Sequence, residues 1–170
     1  MNIYGYCRIS TAKQSIDRQI RNIKAEYPTA HIVQEAYTGT SIFRPEWLKL
    51  YRVLKAGDTV VFDSVSRMSR NAEEGFALYE ELYHKGIRLV FLKEHHIATE
   101  TYKKALSGSI AMTGTNVDFI LKGINEYLMA LAKEQIKLAF EQSEKEVADL
   151  HQRTREGLLT ARLNGKQVGR

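Results

Sequence analysis

The feature that most restricts the fold of this chain is an alternation, in its first half, between short β-type segments and longer stretches with helical spacing. Residues 2–7 (NIYGYC), 31–37 (HIVQEAY), 59–63 (TVVFD) and 87–92 (IRLVFL) are short and rich in β-branched and aromatic residues, so they read as strands. Between them, residues 15–26 place Ile16, Gln19, Ile20 and Ile23 on one helical face. Residues 46–55 carry Trp47, Leu48, Leu50, Tyr51 and Leu54, and residues 72–84 carry Phe76, Leu78, Tyr79, Leu82 and Tyr83, with the same amphipathic logic. Strand and helix in strict succession predict an α/β fold, a mainly parallel open sheet flanked by helices. In such sheets the functional side chains gather beyond the carboxyl ends of the strands.

The second half has a different character. Residues 98–116 are polar and interrupted by Gly108 and Gly114, and read as a connector. From Ile124 to Glu156 there is neither Gly nor Pro, and Met129, Ala132, Ile136, Phe140, Ser143, Val147, Leu150, Thr154, Leu158 and Ala161 step by three or four. That spacing predicts one long amphipathic helix, reaching residue 163. At about 1.5 Å per residue, residues 124–156 alone span roughly 50 Å, more than a small domain covers with its own surface. Part of the stripe, from Met129 to Leu150, is therefore expected to meet a partner subunit; two shorter helices with a hidden break are the alternative.

Composition narrows the classes. A hydrophobic fraction of 44% with only two prolines belongs to an ordinary globular chain. A single Cys7 leaves no internal disulfide, and Arg8 and Ser10 interrupt any secretory apolar region, so a cytoplasmic protein is expected. No run approaches the length of a membrane span. Of the net charge of +5, four units fall in residues 151–170, where Arg153, Arg155, Arg162, Lys166 and Arg170 face only Glu156. A basic end of this kind suits a polyanion.

Candidate chemistry clusters at two strand ends. After the first strand, Arg8 and Ser10 fall on the same side of an extended segment because side chains alternate there. A serine hydroxyl attacks a phosphodiester only where positive charge neutralises the phosphate, and the arginine fork suits phosphate oxygens. By itself the signal is weak, because a serine after a strand is more often an ordinary turn or cap residue. The third strand runs into Asp63-Ser64-Val65-Ser66-Arg67-Met68-Ser69-Arg70, at the same sheet edge. Arg67 and Arg70, three apart, share a face if a helix begins there. Cations at a helix start are unfavourable without an anion to bind, which favours a functional reading. Tyr6 fits core packing and Cys7 a small buried hydrophobe. His31, His84, His95, His96 and His151 lack zinc-ligand spacing, and Gly108 to Gly114 match no phosphate loop, so neither metal, cofactor nor nucleotide is expected.

Tyr6-x-Arg8-x-Ser10-Thr11-x-x-Gln14, Gln19, Gly39 with Arg44-Pro45, Leu54-x-x-Gly57-Asp58 and Ser66-Arg67-Met68-x-Arg70 together resemble, in order and spacing, the catalytic domain of the resolvase/invertase serine recombinases. Glu156-Gly157, Ala161-Arg162 and Gly165-Lys166 resemble the stretch where that family's long helix runs into its DNA-binding segment. The resemblance implies Ser10 as the nucleophile that becomes a 5′-phosphoserine, Arg8, Arg67 and Arg70 on the scissile phosphate, and Gln19 and Arg44 completing the site. Ser66 stands where the family commonly has aspartate, which leaves proton transfer unassigned. The resemblance also implies double-stranded DNA as partner and a homodimer that becomes a tetramer when active. It divides the chain into a catalytic domain (1–123), a helix for oligomerisation and DNA contact (124–163) and the start of a linker to a DNA-binding region (164–170). A non-enzymatic DNA-associated assembly protein of the same fold is the rival reading, and a flavodoxin-like signalling or nucleotide-binding domain a third.

Overall fold

The structure, a computed structural model, describes residues 1–9, 16–36, 44–107 and 110–164. Its strands β1 (Ile3–Ile9), β2 (His31–Ala36), β3 (Thr59–Phe62) and β4 (Arg88–Phe91) form one sheet in the order β2-β1-β3-β4, with every pairing parallel. The helices are α1 (Asp17–Glu26), α2 (Pro45–Val53), the single turn α3 (Val65–Met68), α4 (Ala72–His84), α5 (Thr99–Ser107) and α6 (Asp118–Leu163). A 3-10 turn at His95–Ile97 precedes α5. This is the flanked parallel sheet that the alternation predicts.

Successive strand residues face opposite layers. Cys7 and Val61 pack with Ile23 and Ala30 beneath α1, so Cys7 is the small buried hydrophobe expected. A side chain at Gly5 would put its Cβ 2.7 Å from Ile23 Cγ2, so glycine there lets α1 approach β1 closely. On the other face Tyr6, Val60, Phe62, Leu89 and Phe91 meet α2, α4 and the middle of α6. A chain of ring contacts crosses this layer: Trp47 to Tyr6 at 5.1 Å, Tyr6 to Phe62 at 5.9 Å, Phe62 to Phe91 at 5.3 Å and Phe91 to Phe140 at 6.4 Å between centroids.

Two expectations are corrected. Residues 98–116 are not a bare connector, because α5 occupies their first half. Thr99 is buried at the exposed edge of β4, where its hydroxyl accepts from the Leu89 amide at 2.9 Å and so closes the sheet edge. Helix α6 also begins six residues before Ile124 and runs through the exposed Gly123, whose helical cost of about 1 kcal/mol relative to alanine the surrounding turns absorb.

The apolar stripe of α6 is corrected as well. Ile136, Ala139 and Phe140 lie in this chain's own core and not on a face left for a partner. A Cβ at Gly75 would stand 2.4 Å from Phe140, so the bare Gly75 backbone is the seat of that ring on α4. One turn further on, Glu144 Oε2 accepts the Ala72 amide at the start of α4 at 3.0 Å. The same face continues past the body as the exposed Leu150 and Leu158. Among the described residues no helix is long and apolar enough to cross a membrane.

Because Phe140 links α6 to both Phe91 and Gly75, Phe140→Ala is expected to cost about 3–5 kcal/mol of unfolding free energy. Ile136→Asp buries an unpaired carboxylate in the protomer's own core and is expected to unfold the chain instead of releasing a monomer. Urea denaturation followed by far-UV circular dichroism reads both; a folded, monomeric Ile136→Asp would show that the residue belongs to an interface.

Candidate catalytic site

The carboxyl end of β1 extends past β3: Tyr6 pairs with Phe62, the last residue of β3, and beyond it the β1 backbone has no strand on that side. Gln19 of α1 supplies the missing partner. Its Oε1 accepts the Arg8 amide at 3.1 Å and its Nε2 donates to the Arg8 carbonyl at 2.9 Å, the donor and acceptor pattern of a peptide group. Gln19 is buried, and its role here is to hold the backbone from which Arg8 projects.

The next element, α3, is the hub of the site. Arg8 Nη2 donates to the Ser66 carbonyl at 2.8 Å, Arg44 Nη1 donates to the Met68 carbonyl, and Arg67 Nη1 returns to the Arg8 carbonyl at 3.3 Å. Carbonyls at the end of a helical turn carry partial negative charge and are natural partners for guanidinium. Arg44 sits at the N-cap of α2, immediately before Pro45. Behind it, the buried Glu35 of β2 accepts the amides of Glu46 and Trp47, both at 3.0 Å, and so anchors the start of α2. Arg70 follows Ser69, the C-cap of α3, and precedes Asn71, whose side chain caps α4 by accepting the Glu74 amide at 2.8 Å. Arg67 and Arg70 therefore do not share one helical face as expected, because α3 ends between them; they converge from consecutive segments.

Arg8, Arg44, Arg67 and Arg70 thus come together at the carboxyl ends of β1 and β3. Burial, then Arg44 and Arg70, push the Arg8 guanidinium down to about 10. Arg67 is also lowered by burial, with the adjacent Asp63 opposing the shift. Arg70 is lowered by burial and by Arg44. Asp63, fully buried, is held by Asn22 Nδ2 at 2.8 Å and by Arg18 at 3.8 Å. Among the described residues, no ion pair joins Arg8, Arg44 or Arg70 to a carboxylate, and the buried Nε atoms of Arg8 and Arg67 have no hydrogen-bond partner. Such a cluster destabilises itself until an anion enters.

Ser66 contributes its carbonyl to Arg8, while its hydroxyl lies 2.8 Å from that of Ser64. Ser10 and Lys166 lie outside the described residues. Arg153, Arg155 and Arg162 are exposed on α6 beyond the α/β body, with Arg155 and Arg162 on one face and Arg153 on the opposite one. Sequence reasoning missed Glu35 and Glu94, the second of which accepts the Val65 amide at 3.0 Å. Glu35 had a signal, an isolated acid near the end of a strand in a sheet covered on both faces.

Residues 3–136 match the family model described as Resolvase, N terminal domain. A resolvase of Clostridium perfringens is 28% identical over 170 residues, spanning 99% of this chain and 76% of that protein. The transposon Tn21 resolvase of Escherichia coli is 27% identical over 159 residues, spanning 90% of this chain and 83% of that one. Among solved structures, a resolvase family site-specific recombinase from Streptococcus pneumoniae aligns with a TM-score of 0.47 at 19% identity, covering 94% of this chain and 97% of the other.

Removing one cation should relieve the cluster. Arg70→Gln is expected to melt at or above the wild-type temperature, and inorganic sulfate to raise the wild-type melting temperature by more than it raises that of the variant. Scanning fluorimetry across a sulfate series measures both. An Arg70→Gln protein melting well below wild type, with an undiminished sulfate response, would show that the arginines are not in mutual opposition.

Proposed function

The chain belongs to the resolvase family, and from that premise we propose that it performs site-specific DNA recombination by transferring a backbone phosphate to Ser10. In this reading the Ser10 hydroxyl oxygen attacks phosphorus, the bond from phosphorus to the 3′ oxygen breaks, and the freed strand end takes up a proton as a 3′-hydroxyl. The 5′ phosphate stays esterified to Ser10. Attack of a 3′-hydroxyl on that ester reverses each bond change and reseals the strand without a nucleotide cofactor.

The observation that carries this reading is the convergence of Arg8, Arg44, Arg67 and Arg70 with no carboxylate paired to Arg8, Arg44 or Arg70 among the described residues. Ser10 follows Ile9, the last residue of β1, and stands two positions beyond Arg8. Guanidiniums fixed in a part-buried site stabilise the charge that develops on the phosphoryl oxygens without reorganising. Ser66 cannot serve as a resident base, since an alcohol does not ionise near neutral pH. An inactive assembly protein of the same fold would gain nothing from holding these mutually destabilising cations. Functionally the chain divides into chemistry in 1–123, assembly and DNA contact in 124–163, and a linker beginning at 164–170. Double-stranded DNA is the partner, its phosphates met by Arg153, Arg155, Arg162 and Lys166.

A homodimer that pairs into a tetramer completes the proposal, with its seam moved from the face first expected. Val117, Ile120, Ile124, Tyr127, Leu131 and Leu138 are exposed along the start of α6, spaced by threes and fours or their sum. They lie on the side away from Ile136 and Phe140. A heptad-like apolar row of this kind is what an identical helix packs against.

Ser10→Ala is expected to abolish cleavage and the covalent protein–DNA adduct while DNA binding persists; mass spectrometry of adducts trapped on supercoiled plasmid is the measurement, and an adduct mapped to Tyr6 would remove the nucleophile assignment. The double variant Ile124→Asp, Tyr127→Asp is expected to sediment as a folded monomer where wild type sediments as a dimer. Unchanged sedimentation of this variant would place the seam elsewhere.

A further inference from the structure

The turn α3 is four residues long, too short to form by itself, because closing one helical turn fixes about six dihedral angles for one hydrogen bond. It is nevertheless the element whose carbonyls hold two of the four arginines, Arg8 through Ser66 and Arg44 through Met68. Something outside must fix it. Val65 and Met68 bury their side chains in the core, which turns that face of α3 inward but gives the first amide of the turn no partner. The N-cap residue Ser64 makes no capping hydrogen bond, since its hydroxyl is engaged with that of Ser66. The first amide of the turn, Val65 N–H, is instead taken by Glu94 Oε2 at 3.0 Å from the far side of the sheet edge.

Glu94 reaches this amide because the β3–β4 ladder continues one step past the strands: the Leu92 amide donates to the Phe62 carbonyl at 3.0 Å, and two residues later the chain turns into His95–Ile97. Its carboxylate is part-buried, which raises its pKa, and Glu146 of α6 adds to that, whereas the Val65 amide, Lys93 and His96 act in the opposite direction. A part-buried acid beside another acid is a costly way to fill space, and the Val65 hydrogen bond is the interaction that offsets it.

We propose that Glu94 is a positioning residue for the arginine site: by holding the Val65 amide it pins the start of α3 and therefore where the Ser66 and Met68 carbonyls place the guanidiniums of Arg8 and Arg44. This rests on the phosphate-handling role given above for those arginines, but it predicts effects visible without DNA. Glu94 touches no reacting group. Its loss frees one end of a turn whose other end carries two cations.

The test uses the full 170-residue chain with inorganic phosphate as probe, following the side-chain Nε–H resonances of Arg8 and Arg44 by NMR. Glu94→Ala is expected to shift both resonances and weaken phosphate binding about tenfold, the scale of one lost hydrogen bond to a charged group. Glu94→Gln retains an oxygen that accepts the Val65 amide and is expected to bind phosphate within about twofold of wild type. Should Glu94→Ala not fold, Glu94→Asp, one methylene too short to span the distance, takes its place with the same expected loss. Unmoved arginine resonances in Glu94→Ala, or a Glu94→Gln as weak as Glu94→Ala, overturns the assignment. Wild-type protein that binds phosphate and shows this pattern yet never cleaves DNA supports the Glu94 assignment while refuting the recombinase reading, so the two failures are separable.

Discussion

The guanidiniums of Arg8, Arg44 and Arg70 are kept apart from neutralising partners and yet are held among their neighbours, and the arrangement around the sheet edge follows from that constraint. A carboxylate beside any of these three would fix it cheaply and quench it for the phosphate proposed above. Main-chain carbonyls do the fixing instead: Ser66 for Arg8, Met68 for Arg44 and Arg8 for Arg67. A carbonyl dipole directs a guanidinium without cancelling its charge. The acids stand one layer back, on the amides that define where the arginine-bearing segments begin: Glu35 at α2, Glu94 at α3 and Glu144 at α4. At each helix start a negative charge meets the positive end of the peptide dipoles, so the same groups are favourable where they sit and harmless to the site.

That second layer ties the site to the long helix. Glu144 reaches α4 from α6, and Phe140, one turn earlier, fills the space over Gly75 and touches Phe91 on β4. The helix is thus part of the domain over the turns around Ile136 to Glu144 and leaves it in both directions. Before those turns it exposes the row from Val117 to Leu131; after them it carries Arg155 and Arg162 on one face. A single helix of 46 residues, about 70 Å long, offers three consecutive surfaces with different chemistry.

The parallel sheet and the gathering of Arg8, Arg67 and Arg70 were legible because both depend on local pattern plus one rule, that parallel strands bring their carboxyl ends to one edge. The roles of Gln19 and Glu35 were not, because each acts on backbone amides or carbonyls of another element, and no residue pattern records which main-chain groups the sheet leaves unpaired. The stripe on α6 was legible as a buried face but not as to its cover: Ile136 and Phe140 have the same spacing whether a partner or the chain's own α4 lies against them. Helix α5 was hidden because its anchor is one hydroxyl, Thr99 on Leu89, together with Tyr102 against Tyr79 and Tyr83, within a segment that otherwise looks polar.

On the proposed reaction, serine in place of aspartate at position 66 becomes intelligible. Cleavage exchanges one phosphate diester for another, so the two directions have nearly equal driving force and the site has to lower a barrier without favouring either side. Fixed cations do this symmetrically, since the charge they stabilise is greatest at the transition state and similar in substrate and phosphoserine. A carboxylate at position 66 would add a base for one direction but would also oppose the phosphate. Here Ser66 lends its carbonyl to Arg8 and pairs its hydroxyl with Ser64, adding no charge to the cluster. Asp63, the nearest acid in sequence, is held by Asn22 and Arg18 and bears on Arg67 alone among the four arginines. The net positive field at the end of β1 is then greater than an aspartate at position 66 would allow, which places the burden of catalysis on charge stabilisation and leaves proton movement to groups that need no fixed negative charge.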